Sequence, residues 1–135
     1  MKNLTNAIYS LFTATTGGVH NAFYTDIGGR LYKNKADQDA PLPYAVYFLV
    51  SDTPEFTFTD TFEDVLIQFN LHSESSSSSN IEDMYTHLKA LYDWCSLTIT
   101  DNTHLFMRRE SANLITDEDG DWQYSVTYRI MMEPT

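Results

Sequence analysis

The chain has 135 residues, of which 42% are hydrophobic and 14% aromatic, with nine tyrosines and eight phenylalanines. That apolar content excludes a disordered chain, and the length suits one domain burying roughly two-thirds of its unfolded surface. A formal net charge of −11 argues against autonomous nucleic-acid binding, which rests on cations neutralising phosphates.

The charge is uneven. Residues 1–50 hold four Lys/Arg against three Asp/Glu, whereas residues 51–135 hold four against sixteen. One part of the fold is therefore near neutral and the other strongly acidic. Cys95 is the only cysteine, which excludes an intramolecular disulfide and a cysteine zinc site. The opening "MKNLTNAIYSLF" lacks the apolar core and cleavage site of a leader, and no apolar run is long enough to span a membrane. The expectation is a soluble protein of a reducing cytoplasm with no membrane partner.

In chain order, Leu4, Ala7, Ile8, Leu11 and Phe12 fall at helical spacing. A helix is expected from about residue 4 to 15, with Asn3 as N-cap and Gly17-Gly18 as its stop. Residues 17–43 are the least regular part, with Gly28-Gly29, the basic cluster Arg30, Lys33 and Lys35, and a short strand expected around Arg30 to Lys33. "YAVYFLV", Tyr44 to Val50, is apolar throughout and predicts a central strand buried on both faces, opened by Pro43. "EFTFT" then alternates Phe56 and Phe58 with Thr57 and Thr59. In "DVLIQFNLH" Val65, Ile67, Phe69 and Leu71 face one way and Asp64, Gln68, Asn70 and His72 the other.

After the serine run Ser75 to Ser79 the period changes. Ile81, Met84, Tyr85, Leu88, Leu91, Tyr92 and Cys95 form a helical stripe, and Ser79 with Glu82 has capping-box spacing. The serines thus join a strand to the helix that covers it, rather than two domains. "SLTIT" and "HLFMRRE" predict strands parted by an Asp101-Asn102 turn. "WQYSVTYRIMM" predicts a last strand with Trp122, Tyr124, Val126, Tyr128, Ile130 and Met132 on one face, entered through an Asp119-Gly120 turn. The order predicts a single α+β domain, 1–135, with a mostly antiparallel sheet and two main helices packed on one face.

Catalytic signatures are absent from the sequence. Histidines 20, 72, 87 and 104 lack zinc spacing, with His72 and His87 read as surface residues and His87 set beside Asp83. The glycine pairs lack phosphate-loop spacing, and Cys95 on the apolar side of its helix reads as packing. The acidic stretch Asp117 to Asp121 fails the EF-hand pattern, because Ile115 and Val126 occupy the first and twelfth positions. It reads as a solvated hairpin, with weak calcium binding by Asp117, Asp119 and Asp121 left open. No cofactor is expected.

The ordered set "PLPYAVYFLV", "DVLIQFNLHS", "IEDMYTHLKALYDW" and "HLFMRRESANLITDEDGDWQYSVTYRIMME" resembles the tail completion, or tail terminator, proteins of long-tailed bacteriophages. The resemblance runs from about residue 4 to 133. It rests most on Pro43-Tyr44 opening a strand and on an acidic turn with Gly120 before a tyrosine-rich final strand. His72 stands where the family usually has an aromatic residue, and the serine loop is also a departure.

This resemblance implies a non-enzymatic virion protein, made in the host bacterial cytoplasm, that forms a ring, typically a hexamer, at the head-proximal end of the tail tube. Its partners would be itself, the tail-tube protein and the head connector or stopper. DNA would pass through its lumen without specific binding, as an acidic lumen allows. Ring closure needs two different patches on each subunit. For these the sequence offers residues 52–64, with Phe56, Phe58 and Phe62 among polar residues, as an extension toward a neighbour, and the basic Arg30, Lys33 and Lys35. An ordinary hairpin within the monomer is the alternative for 52–64. For the whole chain the alternatives are another neck component, a small ligand-binding or enzymatic module, and a prophage remnant without a role.

Overall fold

The computed structural model describes residues 2–74, 78–116 and 120–135. Ser75 to Ser77, and Asp117 to Asp119 of the acidic stretch, lie outside the described residues.

Helix α1 (Lys2–Thr13) buries Leu4, Ala7, Ile8 and Phe12, the stripe that the spacing predicts. It begins at Lys2, so Asn3 sits inside the first turn and is not the cap. The Asn3 side chain instead donates to the Thr100 carbonyl at 3.1 Å. Gly17 and Gly18 do not stop the helix, which has already ended at Thr13. With φ of 61° and 80° they form the two-residue turn of a small hairpin, β1 (Thr15–Thr16) and β2 (Val19–His20). Positive φ at both central residues is what such a turn demands. The short α2 (Ala22–Asp26) went unseen in the sequence because it buries only Phe23. Asn21 sets it in place: its Oδ1 accepts from Tyr24 N at 2.8 Å while its Nδ2 donates to the Phe12 carbonyl at 2.9 Å.

The main sheet contains β3 (Leu31–Lys33), β4 (Tyr44–Phe56), β5 (Thr61–Ser73), β6 (Asn102–Thr116) and β7 (Trp122–Pro134). Their order is β3-β4-β5-β7-β6, parallel between β3 and β4 and antiparallel elsewhere. Helix α3 (Ser79–Tyr92) lies with α1 on one face, and together they complete an α+β fold around one core. On β5, Val65, Ile67, Phe69 and Leu71 are fully buried, as are Val126, Tyr128 and Ile130 on β7. The period-two readings of both strands therefore hold.

Four expectations need correction. The central strand is β5, not "YAVYFLV", and β4 is buried only at Ala45, Val46 and Tyr47. Beyond the short reach of β3 the outer edge of β4 is unpaired, so Leu49 and Val50 are exposed next to a register shift. "SLTIT" is not a strand. Leu97 and Ile99 do point into the core, but the Leu97 N–H bonds the His104 ring (3.1 Å) instead of a ladder partner. Helix α3 ends at Tyr92, and Trp94 takes a left-handed φ of 56°. Cys95 therefore lies beyond the helix, half-buried against Met107 (3.6 Å). Finally, the N-cap of α3 is Ser78 rather than Ser79, and it makes no side-chain cap bond.

Three buried tyrosines tie the helices to the sheet and to each other. Tyr92 Oη donates to the Ile8 carbonyl (2.9 Å), Tyr47 Oη to the Thr5 carbonyl (3.2 Å) and Tyr128 Oη to the Asp93 carboxylate (2.6 Å). The Phe69 ring lies between them, its centroid 4.9 Å from that of Tyr92, 5.8 Å from Tyr128 and 5.9 Å from Tyr47. Replacing Tyr92 by Phe keeps the packing and removes one buried bond. Tyr92→Phe is expected to lower the unfolding free energy by about 0.5–1.5 kcal/mol, read by denaturant titration.

Burial also raises the pKa of these groups. Tyr47 is pushed from 10.0 to about 12 by burial and by Tyr9, and Cys95 from 9.0 to about 11 chiefly by burial. Tyr92 and Tyr128 also move up, first through burial and, for Tyr128, then through its bond to Asp93. The native state thus holds protons that the unfolded chain has already released. Stability is expected to be whole below about pH 9 and to fall as pH rises through about 12, by linkage. A denaturation series across that window checks it, and a flat profile refutes it.

Candidate assembly surfaces

Strands β4 and β5 form one long hairpin, paired from Tyr44 with His72 out to Phe56 with Thr61. The turn at its tip is tied by its own polar groups. Thr57 N donates to the Asp60 carbonyl (2.8 Å), and Asp60 N donates to Thr57 Oγ1 (2.9 Å). Phe58 sits at the crest of this turn, wholly exposed at 110% relative accessibility, and Phe56 beside it is 75% exposed. Phe58 is thus a turn residue rather than a strand neighbour of Phe56. Phe62 faces Glu55 across the ladder and is half-buried. Asp52, Glu55, Asp60, Glu63 and Asp64 surround these rings, with no Lys or Arg between residues 52 and 64. Of these five, Asp64 is bonded directly to a cation: Arg129 donates to it twice, at 2.6 and 2.8 Å.

The basic cluster lies elsewhere. Lys33 pairs in register with Tyr47, nine residues along β4 from Phe56. At the rise of a strand this is about 30 Å away. Arg30 is half-buried and its Nε donates to the Pro43 carbonyl (3.1 Å), while Lys33 and Lys35 are exposed. Beside Lys33, an open groove of about 580 Å³ runs between α1 and the sheet. It is lined by Asn6, Tyr9 and Ser10 of α1, Leu31, Tyr32 and Lys33 of β3, and Tyr47. Sequence reasoning passed over Tyr9 as a groove residue. A signal existed in Tyr9, a large ring outside the apolar stripe of α1, which stands 41% exposed.

The sheet face away from the helices is a third surface. Across it run Gln68, Asn70, Gln123, Ser125 and Thr127, with Gln68 donating to Asn70 (2.8 Å) and Gln123 to Ser125 (3.2 Å). Its cations are paired, Arg129 with Asp64 and Arg108 with Glu110. The Arg129 guanidinium is held above its ordinary pKa, first by its bonds to Asp64.

The histidines are absorbed into the fold. His87 pairs with Asp26 of α2 rather than with Asp83, His20 stacks on Tyr24 (3.6 Å) and His72 packs on Tyr44 (4.9 Å). Among the described residues no three His, Cys, Asp or Glu side chains converge as metal ligands, and no helix is long and apolar enough to cross a membrane.

What these features define is an α+β domain with a projecting apolar tip, a distant groove bearing Lys33 and a polar sheet face. The chain matches no family profile and no curated protein in sequence. Among solved structures, it shares its fold with a chain of the "Virion of native gene transfer agent (GTA) particle", with a TM-score of 0.78 at 11% identity, covering 96% of this chain and 94% of that one.

The exposed Phe58 adds nothing to the chain's own core. Phe58→Asp is therefore expected to leave the monomer's unfolding free energy within about 0.5 kcal/mol of the parent, measured by chemical denaturation.

Proposed function

We propose that the protein is a non-enzymatic structural component of a phage-like virion, acting as a tail terminator. In this reading it forms a ring, a hexamer in the simplest case, on the head-proximal end of the tail tube. The ring stops tube polymerisation and presents the surface that the head connector or stopper meets. It assembles in the host bacterial cytoplasm before joining the particle.

The observation that carries the proposal is the end-to-end likeness of fold to a chain of a gene transfer agent virion, with 96% of this chain and 94% of that one aligned. The surface supports the same reading. A cyclic ring needs two unlike patches per subunit, and the acidic phenylalanine tip and the Lys33 groove are two such patches. DNA passing through a lumen must not be held, and holding it takes unpaired cations. The open sheet face, whose cations are already paired, suits that passage.

The test combines mass measurement in solution with negative-stain imaging of the protein mixed with purified tail tubes. Closed rings on one end of each tube are the expected result. Rings that bind head connectors but leave tubes bare would instead assign a stopper role. A protein that stays monomeric alone and with tubes would overturn the ring.

A further inference from the structure

Resting on the ring reading, we propose how one subunit holds the next: the β4–β5 hairpin tip of one copy docks in the α1–β3 groove of its neighbour. Three observations lead there. The first is the state of Phe56 and Phe58, 75% and 110% exposed on a turn that its own hydrogen bonds hold rigid. Rings on a rigid, pre-ordered support lose little entropy on binding, so the hydrophobic gain is kept. Large aromatic anchors of this kind are what interfaces concentrate their energy in.

The second is the shape of the groove. The groove is an open depression of about 580 Å³ lined by Tyr9 of α1, by Leu31 and Tyr47 and by Lys33, whereas the Tyr32 ring lies on the opposite sheet face against Tyr44. The exposed Tyr9 ring can receive a phenyl ring edge-to-face or offset, with a gain beyond area alone. The Tyr47 hydroxyl is turned away into its bond with Thr5, so what remains of that residue to line the groove is its ring.

The third is charge. Asp52, Glu55, Asp60 and Glu63 flank the tip without a cation between them, and Lys33 stands at the groove with Lys35 two residues on. Acid meeting base at the rim sets the register and speeds encounter. With about 30 Å of β4 between them, a tip cannot reach the groove of its own chain. The contact is therefore between copies, and because the two patches differ it propagates head to tail, which is how a ring closes.

The experiment uses two variants of the full chain. Phe58→Asp spoils the tip and leaves the groove intact. Tyr9→Glu combined with Lys33→Glu spoils the groove and leaves the tip intact. Each, measured by light scattering, should remain monomeric where the parent forms rings. Mixed in equal amounts, the two should pair through their one intact tip and one intact groove. The mass then doubles and rises no further, since the pair has no second good contact. This gain on mixing cannot come from misfolded protein.

Variants that form rings like the parent overturn the docking while the ring itself stands. Two monomeric variants that fail to pair on mixing also overturn it. Groove variants that form rings but no longer seat on tail tubes would assign the groove to the tube protein and overturn the docking in that way. A parent that stays monomeric with and without tubes overturns both docking and ring.

Discussion

The fold depends on the contact between two helices and one face of a sheet, and that contact is made by phenols. Tyr47, Tyr92 and Tyr128 each extend a ring into the core around Phe69; Tyr47 and Tyr128 pass a hydroxyl from the sheet to the helix layer, and Tyr92 ties α3 to α1. A leucine in any of these places would bury similar area and fix nothing about orientation. The hydroxyl has to find an acceptor in the dry interior, because an unmet one is costly. The acceptors are single atoms: the carbonyls of Thr5 and Ile8 on α1 and the carboxylate of Asp93 just after α3. The layer is thereby pinned in rotation as well as position. Asp93 has a second task, since Arg109 of β6 grips the same carboxylate at 3.1 Å while reaching Tyr85 of α3 at 2.6 Å.

With one sheet face closed by that layer, everything else the sheet offers is turned to solvent or to a partner. The open face carries amides and hydroxyls that bond one another along the strands. Both outer strands outrun their cover. β6 pairs only with β7, and β4 beyond Tyr47 pairs only with β5. Long bare edges invite unwanted pairing, and proteins guard them with charge and irregularity. Here β4 carries a register shift after Leu49 together with Asp52, Pro54 and Glu55, and β6 carries two register shifts with Arg108, Arg109 and Glu110. The same acids that guard the edge of β4 colour the hairpin tip, so in the proposed docking one set of residues would serve both protection against random pairing and choice of a basic partner.

Much of this was legible in the sequence, and the part that was not has a physical cause. Strands β5 and β7 and helices α1 and α3 each bury a single face, and a single buried face leaves a clean period in the residues. The period reports which way a side chain points, not whether the backbone has a ladder partner. "SLTIT" shows the difference: Leu97 and Ile99 alternate into the core, yet the Leu97 N–H belongs to a histidine ring. An apolar run likewise reports burial only if something covers it. Leu49 and Val50 have the composition of an interior strand and lie past the end of their cover. Helix α2 left no period because its one buried residue, Phe23, leans on a cap by Asn21 that also bonds Phe12.

The hairpin tip was visible for the opposite reason. Three phenylalanines among acids and threonines have no place in a core pattern, and the conflict between local composition and global fold is where function tends to sit. The structure sharpens that conflict without removing it. Phe62 finds partial cover against the ladder, whereas Phe56 and Phe58 find none, although Thr57 and Asp60 spend four hydrogen-bonding groups on keeping the turn that displays them. A tip that served only to connect two strands would need neither ring. The groove carries the converse feature, since Tyr9, Leu31 and Tyr47 line an open space beside Lys33. An open groove and an unburied aromatic tip in one chain are too far apart to meet, and they are the two surfaces that the proposed docking brings together between copies.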